Sequence, residues 1–213
     1  MRALVMQLMA DGRREKVLMG DWPEPAAPTG TQFKAQTLFS GVTNGTERNN
    51  LLGGNYSQGD DALPYPYGYQ NVARVVELGP DCTKIALGDV VYTSTDHLEF
   101  IVDDEDSLLI KLPDTVDPAQ AALFGVASVA MHDVRRAEVQ LGDKVLVVGA
   151  GPIGQFTAQA ARASGAHVTV VDLDAHRLDL AKQCGADVTI QITGDETWAG
   201  PIRDAGMFDI VFE

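Results

Sequence analysis

The sequence predicts an α/β plus β architecture, in which a β-rich N-terminal domain over residues 1–120 precedes an incomplete doubly wound parallel sheet over residues 121–213. Three observations lead to this fold class. Short apolar segments separated by Gly, Pro and Asp fill the first part. The hydrophobic period changes near Val116 from alternation to helix-like spacing. Beyond residue 144, strand-like and helix-like segments alternate, as they do in βαβ units.

The first predicted element is a β-hairpin at the N-terminus. Residues 1–6 and 16–19 are apolar segments that can pair across the polar Asp11-Gly12 turn. Further on, residues 33–39 alternate, so we expect Phe33, Ala35, Thr37 and Phe39 on one face. The other predicted strands are residues 71–78, 90–93, 99–102 and 107–111. Such a series of short strands predicts a small, strongly bent barrel or sandwich.

Helices enter the prediction after residue 116. Asp117-Pro118 begins one, because proline suits the first helical turn, and residues 126–139 form a second helical pattern. The elements that follow are strand 144–148, helix 152–164, strand 167–171, helix 174–183, strand 187–190, helix 195–205 and strand 208–212. They predict the strand order 3-2-1-4, which leaves the last strand as an apolar edge. Proteins avoid such edges, so we expect a fragment of a longer protein, or else a second chain covering the edge.

Composition narrows the function classes. The chain is 45% hydrophobic and 22% charged, as in ordinary globular proteins. A net charge of −14 argues against nucleic acid or an anionic membrane as a partner, because it repels phosphate at long range. A small anionic cofactor stays compatible, since local backbone dipoles can bind it.

The two cysteines, Cys82 and Cys184, are far apart, which predicts neither a disulfide framework nor a cysteine-based zinc site. The N-terminus lacks the apolar core of a signal peptide. No segment approaches the roughly 18 apolar residues that a membrane span needs. From these features we expect a cytoplasmic protein.

The most informative motif is a Gly-x-Gly-x-x-Gly turn that directly follows the strand at 144–148. Gly149 permits the sharp turn, Gly151 omits the Cβ that would meet a pyrophosphate, and Gly154 allows close packing of helix on strand. The helix N-terminus offers N–H groups and a positive dipole end to phosphates. Pro152 has no N–H but suits the first helical position, so Ile153 is the expected backbone donor.

An acidic residue gives the motif its context. Eighteen residues after Gly154 (172 − 154), the second apolar strand ends on Asp172. A carboxylate there accepts hydrogen bonds from ribose hydroxyls and repels a 2′-phosphate, so the motif predicts NAD(H) rather than NADP(H). The alternative is that Asp172 caps the next helix. Arg177 is expected either to stack near the adenine or to be an ordinary surface residue.

Several landmarks together resemble the medium-chain dehydrogenase/reductase superfamily, which contains zinc alcohol dehydrogenases, sorbitol dehydrogenases and quinone reductases. They are Val75-Val76-Glu77-Leu78-Gly79, Gly88-Asp89-Val90-Val91, Leu112-Pro113-Asp114, Ala130-Met131-His132 and the segment from Gly142 to Gly154. The resemblance implies a GroES-like β-barrel-type domain for substrate and catalysis, followed by a Rossmann NAD-binding domain. It also implies a small-molecule substrate. Relatives often pair through a sheet edge, so a homodimer is one alternative for the oligomeric state.

The chain departs from the zinc enzymes of that superfamily at each metal-ligand position. Thr43 stands where they have a cysteine, and Tyr69-Gln70 where they have His-Glu. The third ligand region, residues 124–127, reads Phe-Gly-Val-Ala. Tetrahedral zinc prefers thiolate, imidazole or carboxylate ligands. The resemblance is therefore to a zinc-lacking branch, and we expect no metal.

The resemblance leaves Thr43, Glu47 and Tyr69 as candidate catalytic residues, since hydride transfer without zinc still needs groups at the substrate oxygen. Their alternative roles are a turn cap for Thr43, the first turn of a helix for Glu47 and packing for Tyr69. His97 and His132 are the remaining general-base candidates. We expect His97 to be exposed on a turn and His132 to be a hydrogen-bonded core residue.

The sequence thus leads to two hypotheses. The first is a zinc-independent, NAD(H)-dependent oxidoreductase that interconverts a secondary alcohol and a ketone, or reduces an activated double bond. The second is a non-catalytic nucleotide-binding or scaffold protein that retains the dehydrogenase fold.

Overall fold

Residues 1–193 and 199–213 are described by the computed structural model, which separates into two units, Met1–Gly125 and Val126–Glu213. The first unit contains a curled antiparallel sheet and the second a parallel sheet with helices, so the predicted fold class is confirmed. The domain boundary predicted after residue 120 stays a prediction.

The strands of the first unit form two sheets. Its elements are β1 (Ala3–Leu8), β2 (Arg14–Met19), β3 (Gln32–Ser40), α1 (Asn44–Leu51), β4 (Tyr65–Pro66), β5 (Asn71–Leu78), β6 (Val90–Thr93), β7 (Phe100–Asp104), β8 (Leu109–Lys111) and α2 (Pro118–Ala121). One sheet has the order β2-β1-β4 and the other β7-β3-β5-β6-β8. The predicted hairpin is present, with register from Ala3 opposite Met19 to Leu8 opposite Arg14.

A β-bulge changes the expected pattern of β3. Its antiparallel register against β5 shifts between Thr37 and Phe39, so one residue more lies on β3 than on its partner. Phe33 and Ala35 are fully buried as expected, but Phe39 is 45% exposed. The prediction that Phe39 shares their face is wrong, because the bulge rotates the strand after Thr37.

The second unit is built in the predicted alternation. After α3 (Phe124–Arg136), its elements are β9 (Lys144–Val148), α4 (Pro152–Ala163), β10 (His167–Asp172), α5 (Ala175–Gln183), β11 (Val188–Gln191), α6 (Ala199–Asp204) and β12 (Ile210–Phe212). The parallel order β11-β10-β9-β12 is the predicted 3-2-1-4 order. The start of the helix predicted at residues 195–205 lies outside the described residues.

Small and β-branched side chains form the core of the second unit. Buried valines of β9 and β10 pack against buried alanines of α4 and α5. Alanine lets a helix approach the sheet closely, and both faces of a parallel sheet must be covered in this way. The first unit has separate apolar clusters, the largest of them between β3, β5, β6 and β7. Among the described helices, none is long and apolar enough to cross a membrane.

The glycine turn connects β9 to α4 and has the geometry that its sequence predicts. Gly149 has φ of +95°, in the left-handed region that favours glycine. A Cβ on Gly154 would clash with the carbonyl oxygen of Gly149 and lie 3.0 Å from the carbonyl carbon. A Cβ on Gly151 would meet no atom within 4 Å. Packing therefore requires Gly154, whereas the space beside Gly151 is left open.

We expect Gly154→Ala to lower the free energy of unfolding by about 1–3 kcal/mol, because the backbone must move to relieve the clash. Urea denaturation measures this change. Gly45→Ala is the matched control, since Gly45 lies in α1 with no atom within 4 Å of the added Cβ. It should leave stability unchanged or raise it by about 0.5–1 kcal/mol. Equal stability of Gly154→Ala and wild type would contradict the packing role of Gly154.

Candidate functional site

In the second unit, Asp172 braces the glycine turn. It ends β10, whose parallel pairing with β9 brings the ends of both strands together. One carboxylate oxygen, Oδ2, accepts a hydrogen bond from Ala150 N at 2.6 Å, and Oδ1 accepts one from Asp174 N at 2.8 Å. The N-cap of α5 is Asp174, whose side chain accepts from the N–H groups of His176 and Arg177. Asp172 is therefore not the helix cap.

The surroundings of Asp172 keep its carboxylate negatively charged, so that it can accept further hydrogen bonds. Burial alone raises the pKa of Asp172, but N–H donors from Asp174 and Ala150 and the charge of Arg177 hold it below its ordinary value. The Arg177 guanidinium lies 4.0 Å from a carboxylate oxygen of Asp172 and 4.0 Å from one of Asp174. Two acids thus share the charge of Arg177.

Gln155 is a feature of this turn that the sequence analysis missed. Its side-chain Nε2 donates to Ala150 O at 3.2 Å and to Arg177 O at 2.8 Å. The backbone of Ala150 is therefore held through its N–H by Asp172 and through its carbonyl by Gln155. The signal in the sequence was a polar residue directly after the last glycine of the motif. The result is a turn whose shape is fixed from both sides.

α4 begins at Pro152, with Gly151 as its N-cap. Gln155 N donates to Gly151 O, which closes the first helical turn, so the N–H of Ile153 precedes the intrahelical hydrogen bonds. This turn, the open space at Gly151 and the anionic Asp172 fit the pyrophosphate and ribose of a dinucleotide.

In the first unit, the structure brings together Thr43, Glu47 and Tyr69. The Thr43 N–H donates to Glu47 Oε1 at 2.7 Å, and the Thr43 hydroxyl is hydrogen-bonded to the Tyr69 hydroxyl. Thr43 occupies the N-cap position of α1, but its hydroxyl does not cap the helix. The two residues that the resemblance places at zinc-ligand positions are therefore hydrogen-bonded to each other.

Glu47 is the centre of a buried charge cluster, with its side chain 1% exposed. Lys16 Nζ lies 3.3 Å from its Oε2, and His97 Nε2 lies 3.5 Å from its Oε1. Burial alone raises the pKa of Glu47, but His97, the Thr43 N–H and Lys16 together hold it below its ordinary value. Tyr67 lies beside the cluster, with Lys16 Nζ 4.8 Å from its ring centroid. Burial and the charge of Glu47 raise the pKa of Tyr67, which keeps its hydroxyl neutral.

The expectation for His97 is wrong, because the residue is buried, at 8% exposure. Its backbone N–H donates to Tyr67 O at 2.9 Å and its carbonyl accepts from Leu4 N at 3.0 Å, which ties the turn to the first sheet. His97 Nδ1 is hydrogen-bonded to the Ser40 hydroxyl. Gly68 packs on the ring so closely that a Cβ there would lie 2.8 Å from His97 Cγ.

The expectation for His132 is also wrong. The buried residues of α3 are Val126, Ala130 and Val134, which recur every four residues and define one face. His132 falls on another face and is exposed. In the described part of the chain, no three His, Cys, Asp or Glu side chains come together as a metal site. The absence of a metal stays a prediction.

From Asp96, the neighbour of His97 in the chain, we expect a measurable pH dependence of protein stability. Burial raises the pKa of Asp96 to about 6, against the opposing charge of His97, whereas the reference value is 3.8. The pKa of Asp96 is therefore higher in the folded than in the unfolded state. The protonated carboxyl contributes stability that is complete below about pH 4 and is lost as the pH rises to about 6. We expect Asp96→Asn to be more stable than wild type at pH 7 and equal to it near pH 4, by urea denaturation.

Glu47→Gln should show the opposite pH signature, since the lowered pKa of Glu47 contributes stability above the reference value of 4.5 that is lost on acidification. Its free energy of unfolding should fall furthest below that of wild type at pH 7, and the difference should shrink towards acid.

For Asp96, the contrary result is also clear. If the stability of wild type and of Asp96→Asn changed with pH in parallel, the inferred effect of burial on Asp96 would be excluded.

Comparison with known proteins places these sites in context. Residues 152–213 match the family described as zinc-binding dehydrogenase. Sorbitol dehydrogenase from Mus musculus is 52% identical over 88 residues, which are 41% of this chain and 24% of that protein. Sorbitol dehydrogenase from Homo sapiens is 52% identical over 84 residues, which are 39% of this chain and 24% of that protein. The alignments thus span about a quarter of the length of these relatives.

Solved structures extend the likeness of fold to nearly the whole chain. A zinc-binding dehydrogenase from Clostridium scindens superposes with a TM-score of 0.83 at 21% identity, over 99% of this chain and 70% of that one. The 2R,3R-butanediol dehydrogenase from Bacillus subtilis gives 0.77 at 23% identity, over 100% and 70%. Galactitol-1-phosphate dehydrogenase from Escherichia coli gives 0.78 at 20% identity, over 100% and 68%.

These similarities agree with the glycine turn, the 3-2-1-4 sheet and the curled antiparallel unit that precedes them. Residues 152–213 are thus similar to the zinc-binding dehydrogenase family, and the described residues share the fold of the solved dehydrogenases.

Proposed function

We propose that this protein is an NAD(H)-dependent oxidoreductase that transfers hydride between the nicotinamide and a secondary alcohol or ketone, or an activated double bond, without zinc. The observation that carries the proposal is the glycine turn braced by the Asp172 carboxylate. The dehydrogenase relatives support the reaction class. We also propose a cytoplasmic location, and we leave a monomer and a homodimer as alternatives.

Within this proposal, the pyrophosphate lies over the turn from Gly149 to Gly154 and accepts from the Ile153 N–H. Asp172 accepts hydrogen bonds from the ribose hydroxyls, and its negative charge disfavours a 2′-phosphate. Arg177, whose charge Asp172 and Asp174 already share, is a poor partner for such a phosphate and lies near the adenine. These residues together favour NAD over NADP. The bound nicotinamide would supply the hydride acceptor or donor.

Thr43 and Tyr69 are the groups proposed at the substrate oxygen. Both carry a hydroxyl that can donate a hydrogen bond to an oxygen on which negative charge develops. Glu47 is the residue that holds Thr43 in place, through the hydrogen bond from the Thr43 N–H. The names of the relatives suggest a polyol or a small diol as the substrate class.

The rival proposal is a protein that binds the dinucleotide and catalyses nothing. It is favoured by one observation, the hydrogen bond between the Thr43 and Tyr69 hydroxyls, which satisfies both groups within the protein. A substrate would have to compete with that bond. Turnover distinguishes the two proposals, whereas cofactor binding does not.

Asp172→Ala should weaken NADH binding by roughly tenfold to a hundredfold, the range expected when a charged hydrogen-bond acceptor is removed. The measurement is a fluorescence or calorimetric titration with NADH and with NADPH. Asp179→Ala is the matched control, because it removes an exposed acid of α5 that the cofactor assignment does not use. It should bind NADH as wild type does. A wild-type protein that prefers NADPH, or binds neither, would refute the cofactor assignment.

Thr43→Val and Tyr69→Phe should each reduce kcat by roughly a hundredfold to a thousandfold, as loss of an oxyanion donor does, while NADH binding stays unchanged. The assay follows NADH formation by the purified full chain with sorbitol, 2,3-butanediol and galactitol 1-phosphate. Tyr56→Phe, at an exposed tyrosine, is the control and should have no effect.

Elemental analysis completes this test. We expect substoichiometric zinc and turnover that a chelator does not inhibit. One zinc per chain with chelator-sensitive turnover would overturn the zinc-free mechanism. NADH binding with no turnover on any substrate would support the binding-protein alternative.

A further inference from the structure

A groove of about 340 Å³ opens on the first unit, and neither Thr43 nor Tyr69 lines it. Its apolar lining includes Leu4, Leu18, Leu38 and Phe39, of which Leu18 is 70% exposed. Polar and charged residues also line it, namely Arg2, Gln36, Thr37, Ser40, His97 and Glu99. The volume is in the range of small-molecule sites, which combine apolar walls with polar groups.

Ser40 and His97 belong to a chain of three groups. The Ser40 hydroxyl is hydrogen-bonded to His97 Nδ1, and His97 Nε2 faces Glu47 Oε1 at 3.5 Å. A hydroxyl next to an imidazole that is itself next to a carboxylate is the arrangement that activates a serine nucleophile. Here Nδ1 faces the serine and Nε2 the carboxylate, and either ring nitrogen can act as a base.

The surroundings fix the imidazole in place. The rings of His97 and Tyr67 are in edge-to-face contact, with centroids 5.5 Å apart. Gly68 packs against the Cγ and Cδ2 atoms of the His97 ring. Glu47 is in turn held by Lys16 and by the Thr43 N–H. A base in one orientation beside a buried carboxylate can accept a proton without reorganising its neighbours.

The Ser40 hydroxyl has a choice of two acceptors, His97 Nδ1 and Gln70 O, the second at 2.9 Å. When the imidazole carries a proton on Nε2 alone, Nε2 faces Glu47 and Ser40 donates to Nδ1. When Nδ1 also carries a proton, it donates to Ser40 Oγ instead. The Nδ1 side of the ring therefore has a hydrogen-bond partner in both states, whereas Nε2 lies 3.5 Å from Glu47 Oε1 without a hydrogen bond to it.

We propose that Ser40 is an activated nucleophile, with His97 as its general base and Glu47 as the orienting carboxylate, and that it accepts the acyl group of small activated esters or thioesters. The apolar part of the acyl donor lies in the groove. A bond forms between Ser40 Oγ and the carbonyl carbon, and the bond to the leaving oxygen or sulfur breaks. The Ser40 proton moves to His97 Nδ1 and then to the leaving group. This reaction needs no nicotinamide and is independent of the proposed oxidoreductase function.

Covalent labelling of the full chain tests the proposal. Phenylmethylsulfonyl fluoride and p-nitrophenyl acetate are added separately, and intact mass with peptide mapping locates the adduct. We expect a single adduct at Ser40 that Ser40→Ala abolishes. His97→Gln should slow the labelling at least roughly a hundredfold, the contribution expected of a general base. Glu47→Gln should slow it roughly tenfold or more, because the imidazole loses its orienting partner.

Ser164 and His132 provide matched controls. Ser164 is an exposed serine whose hydroxyl donates to Ala160 O, so it should react far more slowly than Ser40. His132→Gln changes an exposed histidine and should leave labelling at the wild-type rate. If thermal denaturation shows His97→Gln to be unfolded, the ratio of Ser40 to Ser164 labelling in the wild type decides.

Labelling of Ser40 no faster than Ser164, or an unchanged rate in folded His97→Gln, would overturn the proposal. Either result would leave the NADH titration of the same protein unaffected. The failure of this inference is thus distinguishable from the failure of the proposed function.

Discussion

The first unit depends on how it accommodates one buried carboxylate, that of Glu47. Removing a charge from water costs several kcal/mol unless partners compensate, and the loss of a single partner is strongly destabilising. Two partners of Glu47 are distant in sequence, Lys16 on β2 and His97 on the turn before β7, and the third, Thr43, lies just before α1. The hairpin, the helix and the turn are therefore held in one arrangement by the requirement to satisfy this charge.

The parts of the fold that the sequence predicted are those determined by local signals. The strands of the second unit are short apolar segments, glycine marks the turn, and parallel strands joined by helices follow a known order. Phe39 was predicted on the wrong face because the bulge in β3 arises only from pairing with β5. The two-residue strand β4 was missed because it exists only through its pairing with Val5 and Met6.

In the candidate sites too, features set by local sequence could be predicted, whereas features set by long-range contacts could not. Asp172 could be predicted because its distance from the glycine motif along the chain is set by one βαβ unit. The burial of His97 could not, since it comes from hydrogen bonds to Tyr67 and Leu4, far away in sequence. The resemblance gave the positions of Thr43 and Tyr69, but only the structure showed that their hydroxyls bond to each other.

The two acids to which we assign roles in the proposed function, Asp172 and Glu47, are suited to different tasks by their surroundings. Both keep a lowered pKa despite burial, because N–H donors and cations favour the charged form. The Asp172 side chain remains 9% exposed, and its hydrogen bonds are with backbone N–H groups beside an open turn, so its remaining lone pairs can meet a ribose. Glu47 is 1% exposed and faces only protein groups. Asp172 can therefore recognise a ligand directly, whereas Glu47 acts through the residues that it holds, Thr43 on one side and His97 on the other.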